Sequence, residues 1–107
     1  MAMLDEHFAD LTGFDWDAGN TDKSWLKHGV ERVEAEQALL NRPVVVVGDP
    51  AHSLAELRFR ALGRTDSGRE LFLVFTIRGS LIRVVSARPM SAGEKGRYAK
   101  AKAEADS

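Results

Sequence analysis

Leu57-Arg58-Phe59-Arg60-Ala61-Leu62-Gly63-Arg64 is the stretch whose reading decides the fold. In an extended chain, Leu57, Phe59 and Ala61 take one face, and Arg58, Arg60, Leu62 and Arg64 take the other. The alternation predicts a strand with a core face and an arginine face. Working outward, Thr65-Asp66-Ser67-Gly68 reads as a turn. Leu71–Ile77 is apolar at both parities, as a central strand covered on both sides would be. Arg78-Gly79-Ser80 is a second tight turn, and Leu81–Ala87 is a further strand that Pro89 ends. Upstream, Val44–Val47 makes another strand, closed by Gly48-Asp49-Pro50.

The remaining segments supply helices and one edge. Phe14-Asp15-Trp16-Asp17 alternates apolar and acidic residues, which predicts a short edge strand. Asn20, Thr21 or Asp22 can cap a helix that runs through Lys27, with Gly29 as its left-handed end. A second helix spans about Val30 to Leu40, with Val33, Gln37 and Leu40 on one face and Ala35, Ala38 and Leu39 beside it; Pro43 stops it. Ser91 and Glu94 form a capping-box pair that opens a last helix through Tyr98, fraying near residue 104. Gly93 and Gly96 each cost about 1 kcal/mol against alanine in a helix, which predicts a short one. Residues 1–13 read as a loose leader and 105–107 as a frayed tail of a single 1–107 domain. The order β-α-α-β-β-β-β-α predicts an α+β domain, a small antiparallel β-sheet packed with two N-terminal helices and a C-terminal helix.

Composition narrows the function classes. With 44% hydrophobic and 29% charged residues in 107, the chain is an ordinary globular domain, neither disordered nor collagen-like. No apolar run approaches the ~20 residues of a membrane span, and residues 1–20 lack the basic start and apolar core of a signal peptide. The absence of cysteine excludes disulfides, Cys-based zinc sites and a cysteine nucleophile, and fits a cytoplasmic protein. The net charge of -1 hides a division. Residues 1–57 carry four basic and eleven acidic groups, whereas residues 58–102 carry eleven basic and three acidic ones. The basic half points to an anionic partner, or else the acidic half simply faces it.

Among motifs, G-x-S-x-G, the Walker loop, G-x-G-x-x-G and H-E-x-x-H are all missing. His7, His28 and His52 have no metal-ligand spacing. What remains is the arginine-rich sheet together with Lys27-His28 and Tyr98. Cleavage of an RNA phosphodiester by its own 2′-hydroxyl needs a base, an acid for the leaving oxygen, and cations for the charge developing on phosphorus. Arginine suits the last task because its fork holds two phosphate oxygens. Arg58, Arg60 and Arg64 share a strand face at spacings of roughly 7 and 14 Å, which can follow a polynucleotide backbone. Each residue also has a plain structural reading. Strand-face arginines are ordinarily a solvated surface, and Arg69 and Arg78 at turns are solubilising. His28 near a helix end is a cap, Tyr98 a packing residue, and Trp16 and Trp25 core. Arg83 and Arg88 have opposite parity, so they reach one site only if a bulge or the strand end near Ser86–Pro89 re-aims the second. Residues alone describe a small α+β domain with a basic face suited to nucleic acid.

One ordered string of short motifs adds to this. Phe14-Asp15-Trp16-Asp17, Lys27-His28-Gly29-Val30, Arg58-Phe59-Arg60-Ala61-Leu62-Gly63-Arg64, Ile82-Arg83-Val84-Val85-Ser86-Ala87-Arg88-Pro89-Met90, then Glu94 and Tyr98 follow in sequence. The string resembles the BrnT family of bacterial toxins, the toxin half of type II toxin–antitoxin modules, over about residues 14–100. The resemblance implies a RelE/ParE-like fold. It implies a metal-independent endoribonuclease, without cofactor, that inhibits translation and arrests growth. The implied partners are the RNA substrate and a ribbon-helix-helix BrnA-like antitoxin, through which alone DNA would be contacted. The residues it singles out as catalytic are Lys27, His28, Arg64, Arg83 and Tyr98; Arg58, Arg60 and Arg88 would bind RNA. Lys27 or His28 would move protons or hold the phosphate, Arg64 and Arg83 would stabilise the charged transition state, and Tyr98 would orient the substrate. Arg88 would hold the backbone or the strand end. Two other functions stay open at this level: a non-catalytic toxin-like binding protein, and a gyrase-poisoning ParE-like toxin.

Overall fold

A computed structural model of the chain describes residues 11–20, 27–49 and 57–106. Its elements are β1 (Gly13–Phe14), α1 (Arg32–Leu40), β2 (Val45–Gly48), β3 (Arg58–Arg64), β4 (Glu70–Arg78), β5 (Leu81–Pro89) and α2 (Ala92–Ala105). The five strands form one sheet in the order β1-β5-β4-β3-β2, so the doubly apolar β4 is central, as its composition predicts. Strands β2 to β5 pair antiparallel. The sheet as a whole is mixed, because β1 runs parallel to β5. This corrects the expectation of an antiparallel sheet. Side-chain alternation is the same in either direction, so the pattern at Phe14–Asp17 carried no information about orientation. The edge pairing rests on few bonds, Thr12 N–H to Ser80 O at 2.7 Å and Asp15 N–H to Ile82 O at 2.8 Å among them. The supposed loose leader is already engaged at Leu11, which packs against the core.

The predicted first helix, through Lys27, falls outside the described residues except at Lys27, which is helical; Trp25, His7 and His52 also lie outside them. Asn20, one of the three cap candidates, ties the chain to the sheet. Its side-chain amide donates to Asp15 O and to Val84 O, each at 3.0 Å. Two helices remain among the described residues, one on each face of the sheet.

Helix α1 covers the face formed by Phe59, Ala61, Leu71, Leu73, Phe75, Ile82, Val84 and Ala87. It buries Ala35, Ala38 and Leu39 while leaving Val33 and Leu40 exposed. The helix therefore turns the side with Ala35, Ala38 and Leu39 inward, not the side with Val33 and Leu40. The reason lies at Gly63, where an added Cβ would overlap the backbone carbonyl of Ala38. The helix axis sits so close to β3 that only small residues fit between them.

Helix α2 covers part of the opposite face. Met90 and Tyr98 pack on Leu62, with Val45 and Phe72 beside them. Its start is a capping box. Ser91 N–H donates to Glu94 Oε1 at 2.8 Å, and Glu94 N–H to Ser91 Oγ at 3.3 Å. Despite Gly93 and Gly96, the helix runs for 14 residues. Capping, the buried Tyr98 and the Lys102–Glu70 ion pair at 3.2 Å offset the glycine cost. Gly63→Ala is expected to lower unfolding free energy by about 3 kcal/mol or more, because a backbone carbonyl cannot yield as a side chain can. Gly96→Ala, with open space around position 96, is expected to raise it by up to about 1 kcal/mol. Urea denaturation of both variants checks the pair.

Candidate nucleic-acid interface

The sheet face opposite α1 is built by the second parity of each strand. On β3 it carries Arg58, Arg60, Leu62 and Arg64, as the alternation predicts. On β4 it carries Phe72, Val74 and Thr76. On β5 the register shifts. Val74 pairs with Ser86, but Phe75 pairs with Val84, which leaves Val85 as the extra residue of a β-bulge. The bulge settles the parity conflict. Ile82, Val84 and Ala87 all reach the core, while Arg83 and Arg88 share the opposite face. Three cross-strand rows result: Val45, Leu62, Phe72 and Arg88; Val47, Arg60, Val74 and Ser86; and Arg58, Thr76 and Arg83. Helix α2 covers the first row and leaves the other two beyond its packing cluster.

The arginines on this face are held differently. Arg88 forks onto Glu94, with 2.8 and 2.9 Å bonds, and its guanidinium lies 4.2 Å over the Phe72 ring. It ties the end of β5 to α2. The Arg88 fork holds the Glu94 carboxyl at a pKa of about 2, well below the ordinary 4.5, and the Ser91 N–H adds to the effect. Arg83 forks onto Asp17, with two 3.0 Å bonds, and stands 3.5 Å from Asp15. That hydrogen-bonded pair lowers the Asp17 pKa and raises that of Arg83. Arg64 donates to Arg42 O at 2.7 Å and is otherwise exposed. Arg60 and Arg97 line a half-open cavity of about 280 Å³ whose floor is Val45, Val47, Ala61 and Leu62. Among the described residues, Arg60, Arg64 and Arg97 pair with no carboxylate.

The division of charge along the sequence is thus partly self-complementary. Glu34 pairs with Arg69 at 3.1 Å, and Asp15 and Asp17 take up Arg83, with Arg78 3.9 Å from Asp15. Lys27 and His28 are helical, and the chain from them leads through Gly29 and Val30 to α1. The carbonyls of His28 and Gly29 accept from Arg69, at 3.3 and 2.8 Å, and the same arginine holds Glu34 of α1. This fixes the backbone of the Lys27-His28 turn on the α1 side of the sheet, whereas Arg58, Arg60 and Arg83 project from the other. Tyr98 is fully buried, and its hydroxyl donates to Pro43 O at 2.7 Å. Burial pushes its phenol pKa up, and the nearby Arg64 charge opposes that. Tyr98 therefore stands in the packing under α2, not on the open rows. Trp16 packs on the core and donates to Glu36 at 2.7 Å, in keeping with a structural place.

Sequence reasoning missed two features. Arg97 lies one turn beyond the buried Glu94, so a helical projection would have put it at the rim. The Asp17 partner of Arg83 had only the acidic alternation of its segment as a signal.

The family model described as "Ribonuclease toxin, BrnT, of type II toxin-antitoxin system" matches residues 16–94. The chain belongs to the BrnT family. A solved structure, the Brucella abortus ribonuclease toxin BrnT, superposes with a TM-score of 0.57 at 23% identity. The likeness covers 75% of this chain and 97% of that one, and it is a likeness of fold. No curated protein matches in sequence. As a toxin of a type II system, the chain has an antitoxin as its partner. The matched span includes Lys27, His28 and the arginines of β3 and β5, and stops short of Tyr98. Among the described residues, no helix is long and apolar enough to cross a membrane.

Glu94 is depressed below its unfolded value, so its contribution is complete above about pH 4.5 and is lost as pH falls toward 2. Glu94→Gln is expected to cost about 1–3 kcal/mol at neutral pH. It should also flatten the loss of stability with acid across that window, read by thermal melts from pH 7 to 2.

Proposed function

We propose that this BrnT-family chain is an endoribonuclease that cuts RNA by attack of the 2′-hydroxyl, without a metal ion, and thereby inhibits translation in the cytoplasm. The observation that carries the reading is the sheet face opposite α1, which bears Arg58 and Arg60 on β3 and Arg83 on β5, with β4 between them, and Arg64 at the end of β3 beyond the row that α2 covers. Neighbouring strands lie about 4.8 Å apart. Such a grid of guanidinium groups can hold consecutive phosphates and offset the extra charge of a pentacovalent phosphorus. Arg60, unpaired with a carboxylate among the described residues, is the first to meet a phosphodiester, and Arg64, likewise unpaired, stands on the far side of the row that α2 covers. Arg83 enters by exchanging Asp17 for a phosphate, since a carboxylate and a phosphate present similar oxygen pairs to an arginine fork. Lys27 and His28 stand on the α1 side of the sheet, away from this face, so the proton transfers are not assigned to them. Arg88 and Tyr98 act as positioning residues, through the end of β5 and the seat of α2. The antitoxin, of the ribbon-helix-helix BrnA-like kind, would block this basic face.

Incubation of the purified protein with a defined RNA in chelator tests the reading. The wild type is expected to leave 2′,3′-cyclic phosphate ends, and Arg64→Ala to slow cleavage by about 100-fold. Arg64 makes one exposed hydrogen bond, so the variant should melt within a few degrees of the wild type. Intact RNA with the wild type, or full activity in Arg64→Ala, would overturn the assignment.

A further inference from the structure

Thr76 lies between two arginines. It pairs across the sheet with Arg58 on one side and Arg83 on the other, and all three belong to the face opposite α1. The residue is 4% exposed, and its Oγ1 is buried without a hydrogen-bond partner among the described residues. A hydroxyl enclosed in this way is costly unless something satisfies it. Its surroundings define what that would be. A guanidinium has donors and no acceptor, so the flanking arginines offer nothing to the Thr76 O–H hydrogen. A group rich in acceptor oxygens can take the hydroxyl hydrogen and the guanidinium hydrogens together.

We propose that Thr76, with Arg58 and Arg83, forms the floor of an anion site that takes one non-bridging phosphate oxygen of the RNA backbone. The proposal rests on the ribonuclease reading for the identity of the phosphate, and on the sheet geometry for the site. Strand pairing sets the three Cα atoms at intervals of about 5 Å, which a single phosphate can bridge through two long arginine side chains and one short hydroxyl. Arg83 reaches the anion by giving up Asp17, and the arginine side chains turn to admit the phosphate to the hydroxyl. Thr76 is a binding residue in this scheme and moves no proton.

Thr76→Val keeps the shape and removes the hydroxyl; Thr76→Ser keeps the hydroxyl. Inorganic phosphate, titrated into the folded protein and followed by amide and arginine Nε–H resonances, is the probe, and RNA cleavage is measured in parallel. Wild type and Thr76→Ser are expected to bind phosphate with shifts at Thr76 and Arg83. Thr76→Val should bind at least about 10-fold more weakly, cleave RNA correspondingly more slowly, and melt no lower than the wild type. Equal phosphate affinity in Thr76→Val overturns the site and leaves the hydroxyl to a bound water. A lower melting temperature in Thr76→Val also overturns it, because the hydroxyl would then be bonded within the fold. Phosphate binding that depends on Thr76 in a protein that leaves RNA intact keeps the anion site and removes the ribonuclease reading. Cleavage unchanged in Thr76→Val does the reverse.

Discussion

The extra residue at Val85 is the constraint on which the functional face depends. Without it, β5 would keep strict alternation, and Arg88 would point into the core whenever Ile82 and Val84 did. With it, Ile82, Val84 and Ala87 meet α1 while Arg83 and Arg88 turn to the other side. A bulge costs local ladder bonds and sharpens twist, and it is common where a strand must re-aim side chains beside a site. Here it lets one strand serve a closed core and a cationic surface together. It also sets Arg88 above Phe72 and beside Glu94, so the same irregularity fastens α2 to the sheet.

Electrostatics divides the arginines into those spent on the fold and those left to the surface. Arg69 anchors the entry to α1, Arg88 anchors α2, and Arg83 is bracketed by Asp15 and Asp17 from the chain that follows β1. Arg60, Arg64 and Arg97 pair with no carboxylate among the described residues. Arg83 stands between the groups. Its partner, Asp17, is a half-exposed carboxylate, which a phosphate can replace at little cost in desolvation. An arginine held this way is preorganised in position and still exchangeable, which suits a group meant to meet an anion late.

Much of this architecture was legible beforehand. The β3 alternation, the central place of β4, the Ser91–Glu94 cap and the arginine face all follow from patterns within a few residues. The sequence pattern of α1 left its core side open, with Val33, Gln37 and Leu40 on one face and Ala35, Ala38 and Leu39 beside it. Gly63 decided that choice by demanding close approach. Tyr98 carried two readings, and its environment gives it a packing place against Pro43.

The sequence by itself determined the order of the described strands and helices, the parity of β3 and the excess of arginine in the second half, because these follow from local periodicity and composition. Tertiary structure decided the parallel pairing of β1, the register of β5, the match of Asp17 to Arg83 and the placing of Thr76 between two arginines. Each of these depends on which distant backbone a strand lies beside. Period-two alternation says which face a side chain takes, but it does not say which neighbour stands across from it.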